Sequence, residues 1–293
     1  MSNSQFKTVT IAGGTGTLGY AIAEAFLNDG SYIVKILRRK PENENEKAKL
    51  LASKGAEIVY ADYSQHDDLV KALKGTDVIV SALNFDPKGA GFYDAQAPLL
   101  AAAKDASVKR FIPSEFGGKF KPGAHPLIDD KIKLGQEVEK SGLEYTYIYI
   151  GLFQEYFGWL GFDIKNKKAT FLADDGSKLF PTTSLSDIGK YTVETLKLPE
   201  ARNAHIYVAG ALLTLNEYVE LFEKATGSKW EVVVDKDVRN RFQNNIEPVP
   251  SFLDNFKAMI VQEGEIGELD NDKFSFTPRP VTEVIEELVK QAS

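Results

Sequence analysis

Residues 125–140, wound as an α-helix at about 3.6 residues per turn, bring Ile128, Ile132, Leu134, Gly135 and Val138 to one side. Lys131 falls near the middle of that apolar arc, while Lys133 and Lys140 fall on the polar side. Desolvation disfavours an ammonium and lowers its pKa, and a lysine tuned in this way can serve as a general base or proton donor. The same spacing also suits a stem lying along the core with its ammonium reaching water beside Asp130. A second stretch, Gly13-Gly14-Thr15-Gly16-Thr17-Leu18-Gly19, could hold phosphates. Glycines free the backbone to approach an anion, and the N–H groups at the start of a following helix are unpaired donors. Gly14, Gly16 and Gly19 fit the spacing G-x-G-x-x-G, whereas Gly13, Gly16 and Gly19 fit G-x-x-G-x-x-G; both registers stand open.

The elements needed to position these residues are legible. Val9-Thr10-Ile11-Ala12 reads as a strand entering the glycine turn, and Tyr20 to Leu27 as the helix leaving it, ending near Asn28-Asp29-Gly30. Further strands are expected at residues 32–37, 55–62, 76–83, 109–112 and 144–150, separated by single helices, including one over residues 95–106. Such alternation predicts an α/β fold: a Rossmann-type, doubly wound parallel sheet, with a smaller mixed α/β substrate-binding lobe. The nucleotide-binding domain is expected over residues 1–153 plus about 181–213, and the lobe over about 154–180 and 214–293. Ser64-x-x-Asp67 reads as a capping box, residues 169–176 as a hairpin, residues 184–196 as a capped helix, and residues 235–270 as a variable substrate lid.

Ligands of doubly wound sheets lie at the C-terminal ends of the strands, so the glycine turn, Arg38, Asp62, Ser81 and Ser114 are expected to line one crevice. The residue about twenty positions past the glycines meets the adenosine ribose: an acid suits a free 2′-hydroxyl and an arginine a 2′-phosphate. Arg38, nineteen positions past Gly19 and supported by Arg39 and Lys47, favours NADP over NAD, unless it is merely a solvated strand tip. Asp62 and Tyr63 stand where adenine would lie, or Asp62 is a turn residue. The nicotinamide is expected near Ser114, Phe116 and Phe153.

Composition narrows the classes. The chain has 293 residues, is 43% hydrophobic and 26% charged, and carries a net charge of −7 without a basic block, which disfavours nucleic-acid binding. No cysteine is present, so thiolate catalysis and disulfides are excluded. With three histidines far apart, no metal site is expected. No apolar signal region or membrane-length segment is seen, and the reading is a cytoplasmic protein, monomer or homodimer, acting on a small molecule without membrane or nucleic-acid partners. None of the 12 tyrosines has a lysine four positions later, which argues against tyrosine-phenolate chemistry of the common short-chain dehydrogenase kind and against an epimerase or dehydratase.

Four segments together resemble the isoflavone reductase-like and NmrA-like branch of atypical short-chain dehydrogenases/reductases. They are the glycine turn, Lys109-Arg110-Phe111-Ile112-Pro113-Ser114-Glu115-Phe116-Gly117, Asp129-Asp130-Lys131, and Tyr145-Thr146-Tyr147 through Phe153-x-x-Tyr156-Phe157. The resemblance covers nearly the whole chain and implies an NADPH-dependent oxidoreductase in which the lysine matching Lys131 is the general acid/base. The plant reductases carry asparagine-cysteine before the phenylalanine of the post-strand loop, where this chain has Gly151-Leu152. A substrate that is small and aromatic or conjugated is expected to meet Phe116, His125, Tyr156 and Phe157, although these rings equally suit core packing. The alternative is a non-catalytic NADP-binding redox sensor of the NmrA-like type; such regulators are not expected to keep the lysine.

Overall fold

The computed structural model describes residues 6–40, 44–86, 89–172 and 175–292. The chain divides into two compact units, the first comprising residues up to Phe116, Pro126–Ile148 and Ile188–Ile206. The second comprises Gly117–His125, Tyr149–Asp187 and the chain from Tyr207 onward.

In chain order the first unit begins β1 (Thr8–Ala12), α1 (Thr17–Asp29), β2 (Ile33–Arg38), α2 (Glu46–Ser53), β3 (Glu57–Tyr60) and α3 (His66–Leu73). It continues with β4 (Val78–Ser81), α4 (Phe92–Asp105), β5 (Arg110–Ile112), α5 (Pro126–Lys140) and β6 (Glu144–Tyr149). These strands lie in the order 3-2-1-4-5-6, with Ala204–Tyr207 as a seventh beyond β6. Every pairing from β3 across to β6 is parallel. The order reverses between β1 and β4, and such a switch point leaves a crevice at the strand C-termini. β1 and β4 are buried along their whole length, as apolar runs covered by helices on both faces must be.

Three local expectations need correction. The helix after β3 begins at His66 rather than in a Ser64 capping box, because the Ser64 hydroxyl is already engaged with Asp62 Oδ1 at 2.7 Å. The helix expected from Ala95 starts earlier, at Phe92, with Gly91 as its cap. The hairpin does not form: Lys168–Phe171 pairs with Phe162–Asp163 and Glu231–Val234, while the strand after the turn, Leu179–Thr183, joins another sheet. Ala169 and Phe171 are held by the ring cluster of the second unit, which selects those partners; the tip at residues 173–174 lies outside the described residues.

The second unit has two three-stranded sheets and a core of interlocking rings. Phe157 packs against Phe162, Tyr218 and Phe222 with centroids 5.0–5.3 Å apart. Helix Leu185–Thr195 is capped as the sequence suggests, Asp187 N donating to Ser184 Oγ. Residues 235–270 hold two helices, Val238–Asn244 and Phe252–Glu263. Replacing Phe157 with alanine empties the centre of the ring cluster and is expected to cost about 3–5 kcal/mol, lowering Tm by on the order of 10 °C. Thermal unfolding by circular dichroism checks this.

Candidate active site

β1 runs into Gly13, whose φ of +79° is a conformation that side chains rarely adopt. A Cβ at Gly13 would also lie 2.8 Å from the Ala82 carbonyl oxygen, just past β4. Gly16 N donates to Gly13 O at 2.9 Å and closes the turn. Gly16 then caps α1 with no side-chain bond and no acidic residue in the first turn, so α1 places no carboxylate of its own at its start. Gly19 lies on the buried face of α1, where a Cβ would collide with the Gly13 carbonyl and sit 2.8 Å from Gly14 Cα. Gly14 is buried beneath the Ile36 side chain. The positive φ falls on Gly13 and the tightest approach to backbone on Gly19, while a Cβ at Gly14 would press on the buried Ile36 side chain at 2.9 Å, so Gly13, Gly14 and Gly19 all need the absence of a side chain, with Gly16 at the cap between them. Thr15 and Leu18 are half-buried and Thr17 is exposed on the same turn.

Strand ends around this turn carry polar atoms without protein partners. Arg38 ends β2, and its Nη1 is buried without a hydrogen bond. Ser81 ends β4, fully buried, and its Oγ is likewise without a partner. Buried polar groups are nearly always paired, so two such atoms at the C-terminal edge of one sheet fit a polar ligand. Lys47, in the first turn of α2, is exposed and lies 5.7 Å from the Tyr20 ring of α1. Asp62 is occupied as a turn residue: its carboxylate accepts from Ser64 N at 2.9 Å and Ser64 Oγ at 2.7 Å, which holds its pKa below the usual carboxylate range. Tyr63 donates weakly to Leu37 O at 3.5 Å, and burial pushes its phenol up.

Lys131 is set in α5, whose buried face presents Leu127, Ile128, Leu134, Gly135 and Val138. The residue as a whole is half-buried, but its ammonium is drawn inward, donating to Glu115 O at 2.7 Å and lying 4.5 Å from the Phe92 ring centroid. Burial lowers the Lys131 pKa, and the nearby Glu115 charge partly opposes that shift. The same burial raises Glu115, with Lys131 opposing. Ser114 and Glu115 form a tight turn after β5, Glu115 N donating to Pro113 O at 2.8 Å. Phe116 follows at φ +20°, a strained backbone for a buried phenylalanine. Arg110, at the head of the same motif, is structural, bonding Glu144 Oε2 through Nη2 at 2.8 Å and Nε at 3.2 Å.

The remaining expected residues lie in the second unit. His125 is buried with its ring 4.4 Å from that of Phe252 and 4.9 Å from that of Phe256. Phe153 and Tyr156 are half-buried and meet edge-to-face at 5.3 Å. Phe157 has no exposed surface and is enclosed by the core rings described above.

Residues 5–271 match the NmrA-like family. The chain belongs to that family. Pinoresinol reductase 2 from Arabidopsis thaliana is 33% identical over 239 residues, covering 76% of this chain and 75% of the relative. A solved chain described as AtPrR2 with NADP+ and (+)pinoresinol superposes with a TM-score of 0.80 at 28% identity, over 97% of this chain and 99% of that one. The leucoanthocyanidin reductase–NADPH binary complex from Vitis vinifera gives 0.79 at 26% identity, over 97% and 99%. Among the described residues, no helix is long and apolar enough to cross a membrane and no group of His, Asp or Glu could hold a metal.

Three residues near Lys131 carry geometry that sequence position alone does not disclose. Glu115 stands inside the post-β5 motif with no chemistry of its own to mark it, and Phe92 precedes the apolar run from which the helix is expected. Gln96 had a visible signal, a lone amide in the run from Ala95 to Ala103, and it proves completely buried.

Proposed function

We propose that this chain is an NADPH-dependent reductase of a small aromatic or conjugated molecule, with Lys131 as general acid. The observation that carries the proposal is the inward ammonium of Lys131, held by a backbone carbonyl and an aromatic face in the unit that bears the glycine turn. A lysine bonded to a carbonyl rather than to a carboxylate keeps protons to give, and its lowered pKa eases their transfer.

The turn from Gly13 to Gly19 and the open start of α1 would hold the pyrophosphate. Arg38 and Lys47 would pair with the 2′-phosphate, and Ser81 would use its spare hydroxyl on the nucleotide. When bound, the cofactor supplies a hydride. Lys131 delivers the matching proton to the substrate atom that gains electron density, and the Glu115 carbonyl and Phe92 ring keep the ammonium aimed and shielded from bulk water. The names of the relatives, which include a pinoresinol reductase and a leucoanthocyanidin reductase, support an aromatic substrate. Phe157, enclosed in its own core, is not assigned a substrate contact.

The test is loss of nicotinamide absorbance with a panel of phenolic ethers, enones and quinones. Turnover of at least one compound is expected. Tight NADPH binding without turnover of any would overturn the reductase reading and favour a redox sensor. The cofactor assignment is tested by Arg38→Ala. Losing charge-assisted bonds to a phosphate, worth about 1.5–3 kcal/mol, is expected to weaken NADPH binding roughly 10- to 150-fold and leave NADH binding unchanged. Fluorescence titration with both nucleotides reads the split.

A further inference from the structure

We propose that Gln96 is the positioning residue for Lys131, one side-chain amide fastening together the two surfaces that seat the ammonium; this rests on the reductase reading. Gln96 Nε2 donates to Phe92 O at 3.1 Å, and Gln96 Oε1 accepts from Ser114 N at 2.9 Å. Phe92 is the residue whose ring lies against the Lys131 ammonium, and Ser114 adjoins the residue whose carbonyl accepts from it. The amide thus reaches both halves of the seat without touching the ammonium, and its contact with Ser114 N lies beside the expected nicotinamide position, so the Lys131 midpoint of the ligand-free protein is the readout that isolates its effect on the ammonium.

The chemistry at the two ends is strict. A backbone carbonyl can only accept and a backbone N–H can only donate, so a side chain spanning them needs one donor and one acceptor at fixed separation. A carboxylate lacks the donor, and an apolar side chain lacks both. Two further features show that the turn needs holding. Phe116 is strained at φ +20°, and the turn has a three-residue bond from Glu115 N to Pro113 O. A strained segment persists only where its surroundings over-determine it, and Gln96 is the buried side chain that grips Ser114. On α4 the grip falls on the first helical residue, where fraying would let the Phe92 ring swing off the ammonium. Gly91, just before, leaves room for Asp130 Oδ2, which accepts from Tyr93 N at 3.4 Å and ties the start of α4 to α5.

The charged group acting on Lys131 from the turn is Glu115, and the ring facing it from α4 is Phe92. If Gln96 releases both, the ammonium gains water and its titration midpoint climbs toward that of an ordinary lysine. A pin that merely stabilised the fold would change Tm without moving that midpoint.

The experiment is competitive acetylation of the ligand-free protein with acetic anhydride across pH, read by peptide mass spectrometry, with exposed Lys140 at the far end of the same helix normalising the extent of modification. In the wild type, Lys131 is expected to titrate below an ordinary lysine. In Gln96→Met, of similar volume, the midpoint of Lys131 is expected to rise by about one unit, kcat to fall about tenfold and KM to stay within twofold. Should Gln96→Met not fold, Gln96→Asn, polar but one methylene too short to reach both ends, carries the same test with a smaller rise. An unshifted Lys131 midpoint in the folded variant overturns the proposal. A Lys131→Met variant with full reductase activity would instead overturn the reading beneath it, so the two failures are distinguishable.

Discussion

Lys131→Met is expected to lower kcat by about 10²- to 10⁴-fold while NADPH binding and the fold are retained. Methionine keeps the length and apolar stem of lysine, so the packing of α5 against the sheet is preserved, but nothing remains to donate a proton. The ammonium contributes to this site by a hydrogen bond to the Glu115 carbonyl and a contact with the Phe92 ring, neither of which the glycine turn depends on. The pH profile follows from the direction of the shift. Proton donation needs the charged amine, and burial holds the Lys131 pKa below that of a free lysine. The wild-type rate is therefore expected to fall as pH rises through that lowered midpoint, earlier than an exposed lysine would allow. The residual rate of the methionine variant should show no such limb. Steady-state rates over a pH series on both proteins check the pair of statements.

The second large effect is expected from Gly19→Ala. One methyl group there has no space, because the collision is with the carbonyl and Cα of the preceding turn rather than with a movable side chain. Either α1 moves away from β1 or the turn opens; both would spoil the proposed phosphate cradle. A loss of about 3 kcal/mol in stability and at least a 10²-fold loss in NADPH affinity are expected, by chemical denaturation and fluorescence titration. Gly16→Ala is the internal comparison. Its Cβ would meet only the Gly13 carbonyl at 3.2 Å, on an exposed residue with ordinary dihedrals, so its effect should be far smaller on stability than on nucleotide binding.

Much of this arrangement was legible in the sequence because it is written in periodicity. Apolar runs separated by single helices dictate a parallel, doubly wound sheet, and the observed 3-2-1-4-5-6 order follows that rule. Lys131 stood out because helical winding set it against apolar neighbours, and its ammonium is indeed drawn inward. What escaped notice depends on contacts between residues distant in sequence. The two glycine registers differ by one residue, and the close approaches that demand glycine, Ala82 at Gly13, Ile36 at Gly14 and the turn itself at Gly19, all come from residues that periodicity does not place. Ser64 has the right spacing for a cap, yet its hydroxyl is drawn to Asp62, two residues away. The Lys168–Phe171 strand chose partners by ring packing in its own unit rather than by the adjacent turn. Gln96 reads as a polar residue tolerated on a helix until its partners at Phe92 and Ser114 are seen.

The most direct measurement is transfer of label from NADPH deuterated at the nicotinamide carbon, followed by mass spectrometry of the product in a single turnover. The wild type is expected to deliver one deuterium to a substrate from the aromatic panel, and Lys131→Met, saturated with the same NADPH, to deliver it at least a hundredfold more slowly. Transfer at the wild-type rate by Lys131→Met, or no transfer by the wild type to any compound, would rule out a reductase that depends on Lys131 for its proton.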